Sequence, residues 1–421
     1  MLSLKNKNQY LNLLNTPFVL LILIVITTIR IYSLYVTPIE LSVDEAQYWD
    51  WSRNLEFGYF TKPPIVAWVI ALSTNIFGNE EWAVRLCSPI IHFITSIILW
   101  ICGQLAFGFK TGKVAALIWI FTPAVSLGSF IISTDTPLLL FWSLSLFFII
   151  KLIKDNSLSS ALFAGICLGL AFLSKYAALY MLVLIFFWWA IYDRGKFLSI
   201  RNILIIFIST ALISSLNLYW NYNNDFVTVS HTISNADLSK IVLNSSNVVD
   251  FLSSQLLVFG PVFFLIYLFI IFDSFFRDEK LSLLGMISLP IILLITIQSF
   301  LKIANSNWAV TAYIGATLLI SAYVTSTKHK FSKFLFITGL IVNFGLSLLI
   351  FKITFTGSFY PVELKSNPLR KNFGFEILAK QINNAFDKNV FSSIVFENRS
   401  DITRFNYYLN KSNDKFKNKI F

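Results

Sequence analysis

Long apolar runs, each ended by a short polar break, follow one another through most of the chain. A helix needs about 20 mostly apolar residues to cross the hydrocarbon core of a bilayer. The pattern therefore predicts spans near 17–37, 85–107, 114–132, 137–153, 158–173, 176–192, 202–220, 251–272, 281–300, 309–327 and 332–352. Residues 162–192 form one uninterrupted run that would bury Lys175 mid-membrane as a single helix, at a cost of several kcal/mol. Two short spans meeting at an outer turn avoid this and place Lys175 at that turn, facing an anion such as a lipid phosphate. The first run lacks a small-residue cleavage site and reads as a retained span.

Two stretches break the pattern. Within the first outer loop, residues 38–84, SVDE at 42–45 fits a capping box. Tyr48, Trp51 and Leu55 then recur at spacings of three and four, predicting an amphipathic helix in the interface. After the last run, residues 353–421 mix charges with short apolar stretches such as VFSSIVF, compatible with a small outer α/β segment. The expectation is thus an all-α polytopic membrane protein of about 11 spans over residues 1–352, followed by this C-terminal segment.

Composition agrees with that class. Hydrophobic residues make up 56% of the 421, charged residues only 13%, and there are 43 Phe, which excludes an ordinary soluble domain. Cys87, Cys102 and Cys167 all fall in apolar runs and read as packing residues. In a membrane chain the net charge of +11 matters through its distribution, not as a signal for nucleic acid. Lys5 and Lys7; Lys110 and Lys113; Lys151 and Lys154; Arg194, Lys196 and Arg201; Arg277 and Lys280; and Lys328, Lys330 and Lys333 fall in alternate loops. By the positive-inside rule these loops and the N-terminus are cytoplasmic, and the C-terminal segment lies on the other face.

The same arrangement puts every unusual polar cluster outside: DEAQYWDWSRNLEFGYFTKPP at 44–64, STDTP at 133–137, SKY at 174–176, NYNNDFVTVSHT at 221–232 and KIANSNW at 302–308. Each has a structural reading. Asp44 suits the helix dipole, Asp135 or Thr136 suits a cap with Pro137 at N1, and Lys62 and Arg85 suit snorkelling. His92 reads as a satisfied packing residue, and Arg30 calls for a partner such as a carboxylate of the first loop. Together the clusters fit one chemistry, transfer of a sugar from an isoprenoid phosphate in the outer leaflet. Lys62 and Lys175, with Arg85, would stabilise the leaving phosphate. Asp44 would orient or deprotonate the acceptor, Asp135 would position it, and Tyr48, Trp49 and Tyr59 would pack on sugar or lipid. No nucleotide-binding motif is visible. A transporter or lipid flippase is the alternative, but it predicts internal repeats and polar groups at mid-membrane depth.

The opening stretch, STDTPLLLFW, GLAFLSKYAALY, NYNNDFVTVSH and SNWAVTAYIGATLL resemble, in that order, the motifs of the bacterial branch of the protein O-mannosyltransferase-like glycosyltransferases, family 39 of the GT-C fold. That branch includes the lipid A aminoarabinose transferase. The resemblance covers roughly residues 17–330, with PLRKNFGFEILAKQI at 368–382 as an extension. It implies a bacterial inner-membrane transferase with a periplasmic active site, a polyprenyl-phosphate sugar donor, a lipid, glycan or protein acceptor, and inversion at the anomeric carbon. Position by position it implies an acidic pair at Asp44 and Glu45, with acceptor activation at Asp44. It places Lys62 at the donor phosphate and carries over Asp135, Lys175 and His231. In the aminoarabinose transferase a glutamate before the Lys-Pro element joins a histidine at a metal. Here Thr61 stands in that place, so no cofactor is called for and the metal assignment is left open.

Overall fold

A computed structural model describes residues 15–235, 244–327, 329–358, 366–367, 369–388, 393–411 and 416. Lys5, Lys7, Lys328, Pro368 and residues 390–392 of VFSSIVF, all used above, lie outside them. The described residues form α1 (Thr16–Val36), α2 (Val43–Ser52), α3 (Ile65–Phe77), α4 (Glu81–Arg85), α5 (Cys87–Phe107), α6 (Phe109–Phe121), α7 (Pro123–Gly128), α8 (Asp135–Asp155), α9 (Leu158–Ser174), α10 (Leu179–Trp188) and α11 (Ile200–Asn223). There follow α12 (Val227–Asn235), α13 (Ser245–Val258), α14 (Pro261–Arg277), α15 (Glu279–Met286), α16 (Leu289–Leu301), α17 (Ala312–Ser326), α18 (Lys330–Thr356), α19 (Phe375–Lys388) and α20 (Arg399–Asn410).

Every predicted span falls on one of these helices or on a broken pair of them. By length and composition, seven helices among the described residues can each cross a membrane, or up to eight if the bent pair α13–α14 counts as one span. Shorter apolar helices, α3, α9 and α17, fill in between. The span expected at 251–272 is corrected: α13 and α14 meet at 109°. The break has a local cause. Gly260 sits at φ +99, a conformation glycine adopts readily, and Pro261 starts α14 where its missing N–H costs nothing.

The helices pack through small residues. A Cβ on Gly165 would lie 1.9 Å from Ser209 Oγ, and one on Gly169 2.5 Å from Ile213 Cβ, so these two glycines on one face of α9 let α11 approach closely. Arg30 of α1 is buried, but its partners are not carboxylates. Nη2 donates to the Ile120 carbonyl at 2.6 Å and to Ser126 Oγ at 2.9 Å, because the break between α6 and α7 before Pro123 leaves that carbonyl open. His92 is buried as expected, yet neither ring nitrogen has a hydrogen-bond partner among the described residues, which corrects its reading as satisfied.

The described part of the C-terminal segment contributes α19 and α20. It docks on the first loop. Phe405, Tyr407, Tyr408 and Leu409 share a core with Ala46, Tyr48 and Trp49 of α2 and Val66 and Ile70 of α3. Glu40 accepts from the Phe375 and Glu376 N–H groups at 2.8 and 3.1 Å and so caps α19. The Tyr408 hydroxyl donates to Glu81 at 2.7 Å and accepts from the Leu41 N–H at 3.0 Å.

Candidate functional site

The capping box at α2 is present. Ser42 Oγ accepts from the Glu45 N–H, and the Glu45 carboxylate accepts from the Ser42 N–H at 3.0 Å. The box fixes Glu45 inward, 1% exposed, where it meets Arg85 at 2.8 and 3.0 Å and accepts from the Ile132 N–H at 3.2 Å. The remaining Arg85 donors go to the carbonyls of Ile39 and Glu40. Burial alone would raise the Glu45 pKa, but the Arg85 charge and hydrogen bonds, with the Ser42 and Ile132 N–H groups, hold it below the usual carboxylate value. Glu45 and Arg85 thus form an internal clamp between α2, α4 and the turn before α8. With every described donor of Arg85 engaged inside the loop, we place it in support of the site and not on the donor phosphate.

With Glu45 turned inward, its neighbour Asp44 points out. Its side chain is 67% exposed and lies 3.8 Å from Arg399, the first residue of α20, which also donates to Gln47. The SKY motif is the predicted break: α9 ends at Ser174, Lys175 is extended, and the next turn starts at Tyr176. Released from the helix, the Lys175 ammonium donates to Asp135 at 2.7 Å. Asp135 is not the cap of α8; Thr134 holds that position, and Pro137 stands two residues inside the helix. Its carboxylate is therefore available on both sides, and the other oxygen accepts from Asn307 at 2.6 Å.

Lys62 stands among these groups. Its pKa is lowered, first by burial and then by the Lys175 charge, while Asp44 and Asp135 pull the other way. No described residue makes a hydrogen bond or ion pair with its ammonium. The charges of Asp44 and Asp135 also act on Tyr48, whose pKa is raised mainly by burial. His231, on α12, is lowered by burial and by the Lys62 and Arg399 charges. Residues from five separate loops and the C-terminal segment therefore meet on one face.

The aromatic residues are placed differently from expectation. Trp49 is 1% exposed, donates to Asn79 at 2.9 Å and packs edge-on against Tyr407. Tyr59 stacks on Trp51 at 4.8 Å and its hydroxyl bonds the backbone at Trp51, Asn54 and Glu56. Both build the loop's interior and offer no face to a sugar; only the buried Tyr48 adjoins the charged groups. A resident metal does not fit. Thr61 Oγ1 is buried without a partner, the His231 ring packs on Phe60 at 5.8 Å, and among the described residues no three His, Cys, Asp or Glu side chains gather. Sequence reasoning missed Arg399 and Asn307; the second lay inside a motif already singled out.

A polytopic all-α membrane chain with loop residues gathered into one charged site is consistent with the GT-C fold. Residues 61–220 match the family model described as dolichyl-phosphate-mannose-protein mannosyltransferase. The lipid A galacturonosyltransferase RgtD of Rhizobium johnstonii is 34% identical over 310 residues, which cover 71% of this chain and 64% of that protein. The crystal structure of ArnT from Cupriavidus metallidurans bound to undecaprenyl phosphate superposes with a TM-score of 0.69 at 14% identity, over 94% of this chain and 85% of that one. The oligosaccharyltransferase of Archaeoglobus fulgidus follows with 0.58 at 11% identity, over 94% and 63%. The resemblance drawn from the ordered motifs is borne out, and the fold is the GT-C fold.

Proposed function

We propose that the chain is a bacterial inner-membrane glycosyltransferase that moves a sugar from a polyprenyl-phosphate donor to an envelope acceptor at the outer face, with its N-terminus cytoplasmic and its C-terminal segment periplasmic. The carrying observation is the convergence of Asp44 and Lys62 of the first loop with Asp135 and Lys175 from two others. The likeness to a structure that binds undecaprenyl phosphate supports the donor class. The acceptor oxygen attacks the anomeric carbon, its proton passes to Asp44, and the C–O bond to the phosphate breaks. Polyprenyl phosphate leaves into the field of Lys62 and Lys175. A single displacement of this kind inverts the anomeric centre. Asp135 holds Lys175 in place for that charge.

The sugar is a hexuronic acid and the acceptor a lipid A-type glycolipid. RgtD supports this, and so does the site's cation content: beside the two lysines that meet the phosphate, the 52% exposed Arg399, next to Asp44 and bonded to Gln47, adds a third cation that a sugar carboxylate can meet. The deciding experiment offers reconstituted protein polyprenyl-phosphate-linked galacturonate or a neutral hexose, with lipid A as acceptor. A uronate mass gained on lipid A supports the reading, while no mass gain from either donor overturns the transferase. Arg399→Ala is expected to lower the preference for uronate over hexose by roughly 10- to 100-fold, as for a lost charge-assisted hydrogen bond. An unchanged ratio removes Arg399 from sugar recognition.

Lys62→Ala should raise the donor KM and lower kcat/KM by about 10²- to 10³-fold, with a much smaller effect on the acceptor KM. Its pH dependence follows from the lowered pKa. The charged form binds phosphate, so donor affinity falls as pH rises through a value below the ordinary 10.5. Lys62→Arg should move that alkaline limb upward; a limb that stays in place assigns it to another group.

A further inference from the structure

Lys62 and Lys175 stand on separate parts of the chain, and their like charges repel. Each belongs to a turn. The Lys62 carbonyl accepts from the Tyr59 N–H at 3.1 Å, and Lys175 is extended between α9 and the turn that starts at Tyr176. What joins the two turns is the outer end of α11. Asn217 there is fully buried; its Oδ1 accepts from the Tyr176 hydroxyl at 2.8 Å, and its Nδ2 donates to the Phe57 carbonyl at 2.7 Å.

Asn221, one turn further on, fixes which way that amide faces. Its Nδ2 donates to the Asn217 carbonyl at 3.0 Å and to Asn217 Oδ1 at 3.2 Å, which leaves Asn217 Nδ2 for Phe57. The loop backbone is drawn in tightly: a Cβ on Gly58 would lie 2.3 Å from the Trp220 ring and 2.8 Å from Asn217 Nδ2. Buried Thr228 of α12 ties the same loop again, donating to the Tyr59 carbonyl at 2.6 Å. A buried amide costs free energy unless its groups are partnered, so this set of bonds favours one spacing of the two turns.

We infer that Asn217 and Tyr176 are positioning residues for the donor: the bridge from the Phe57 carbonyl through Asn217 to the Tyr176 hydroxyl sets the gap between Lys62 and Lys175 that one phosphate fills. This rests on the reading of those two lysines as the phosphate's partners. Without the bridge the two turns part under their own repulsion, and the phosphate must draw them together at the expense of its binding. Both residues act through the lysines and not on the sugar.

Tyr176→Phe is the gentlest test. It keeps the ring that packs on Phe172 at 4.9 Å and removes only the hydroxyl, while Asn217 Oδ1 retains its bond from Asn221. Asn217→Ala cuts the bridge at its centre. Each full-length variant is reconstituted beside wild type, and binding of undecaprenyl phosphate is measured apart from sugar transfer. In Tyr176→Phe the dissociation constant for undecaprenyl phosphate and the donor KM should both rise about tenfold, as for one lost hydrogen bond, with the acceptor KM unchanged. The alkaline limb should move as well. Lys62 faces Lys175, Arg399, Asp44, Asp135 and His231; with Lys175 further off and the loop less buried, both lowering influences weaken and the limb shifts up toward 10.5. A tie that serves folding alone would lower the unfolding temperature and leave lipid affinity and limb in place, and that result in Tyr176→Phe overturns the inference. If Asn217→Ala fails to fold, Tyr176→Phe decides alone. Wild type that binds the lipid phosphate yet transfers no sugar refutes the transferase, and the affinities of the variants still judge the bridge.

Discussion

Asp44→Asn is expected to lower the transfer rate at saturating donor by a factor of about 10² to 10⁴, the range for loss of a general base, while the protein should be extracted and unfold as wild type does. The split between activity and stability follows from geometry. The side chain is 67% exposed and its ion partner stands at 3.8 Å, so little folding energy depends on it. The backbone of α2 keeps its cap, because Ser42 and Glu45 make the box and Asp44 does not. Asparagine preserves size and hydrogen bonding and loses only the capacity to take a proton. The measurement is the initial rate of sugar transfer beside a thermal unfolding curve in the same detergent. Turnover within threefold of wild type would remove Asp44 from the chemistry.

Arg85→Met has the opposite profile. It leaves a buried carboxylate without its cation and should cost about 3 to 5 kcal/mol of stability, lowering the unfolding temperature and the yield together. Glu45→Gln combined with Arg85→Met should recover much of that loss, since no buried charge is then left alone. The pair also sets an acid limb. The folded pKa of Glu45 lies below its ordinary value of 4.5, so its contribution is complete above that value and is lost as pH falls through the lowered folded pKa. In Arg85→Met the lowering influence is gone and burial pushes the carboxyl up, so the loss should move toward neutral pH. A denaturation series between pH 3 and 8 checks both statements, and identical pH profiles for the two proteins would overturn the clamp.

The apolar segments were legible, but of the eleven spans expected only seven described helices, or eight with the bent pair, are long enough to cross a bilayer; 114–132 breaks before Pro123, and 158–173 and 309–327 fall on shorter helices. Residues 251–272 are instructive: they are apolar enough for one span, but the turn at Gly260 and Pro261 is a local event that mean hydropathy does not register. Lys62, Lys175, Asp44 and Asp135 stood out because cations and carboxylates are costly near a membrane unless something employs them. The roles of their neighbours were not legible. Trp49 and Tyr59 look like sugar platforms in the sequence, and what buries Trp49 is Tyr407, far along the chain. Glu45 and Asp44 are adjacent and chemically alike; only the direction of one helical turn sends one inward and the other outward. Arg399 belongs to no recognisable motif, and nothing in its surroundings announces Asp44 as its neighbour.

The docking of α20 on α2 also bears on how the protein comes into being. Asn406 donates to Asp50 at 2.6 Å across 356 residues of sequence. At roughly 5 to 20 residues per second, the ribosome needs about 20 to 70 s to pass from one to the other. Through that interval the outer loop lacks the aromatic residues that complete its interior and the arginine that faces Asp44. A chain cut short before residue 399 is expected to leave the first loop without these contacts, and limited proteolysis of such a truncation beside the full chain checks it. The core of the first loop is therefore complete only when α20 has docked on α2 and α3.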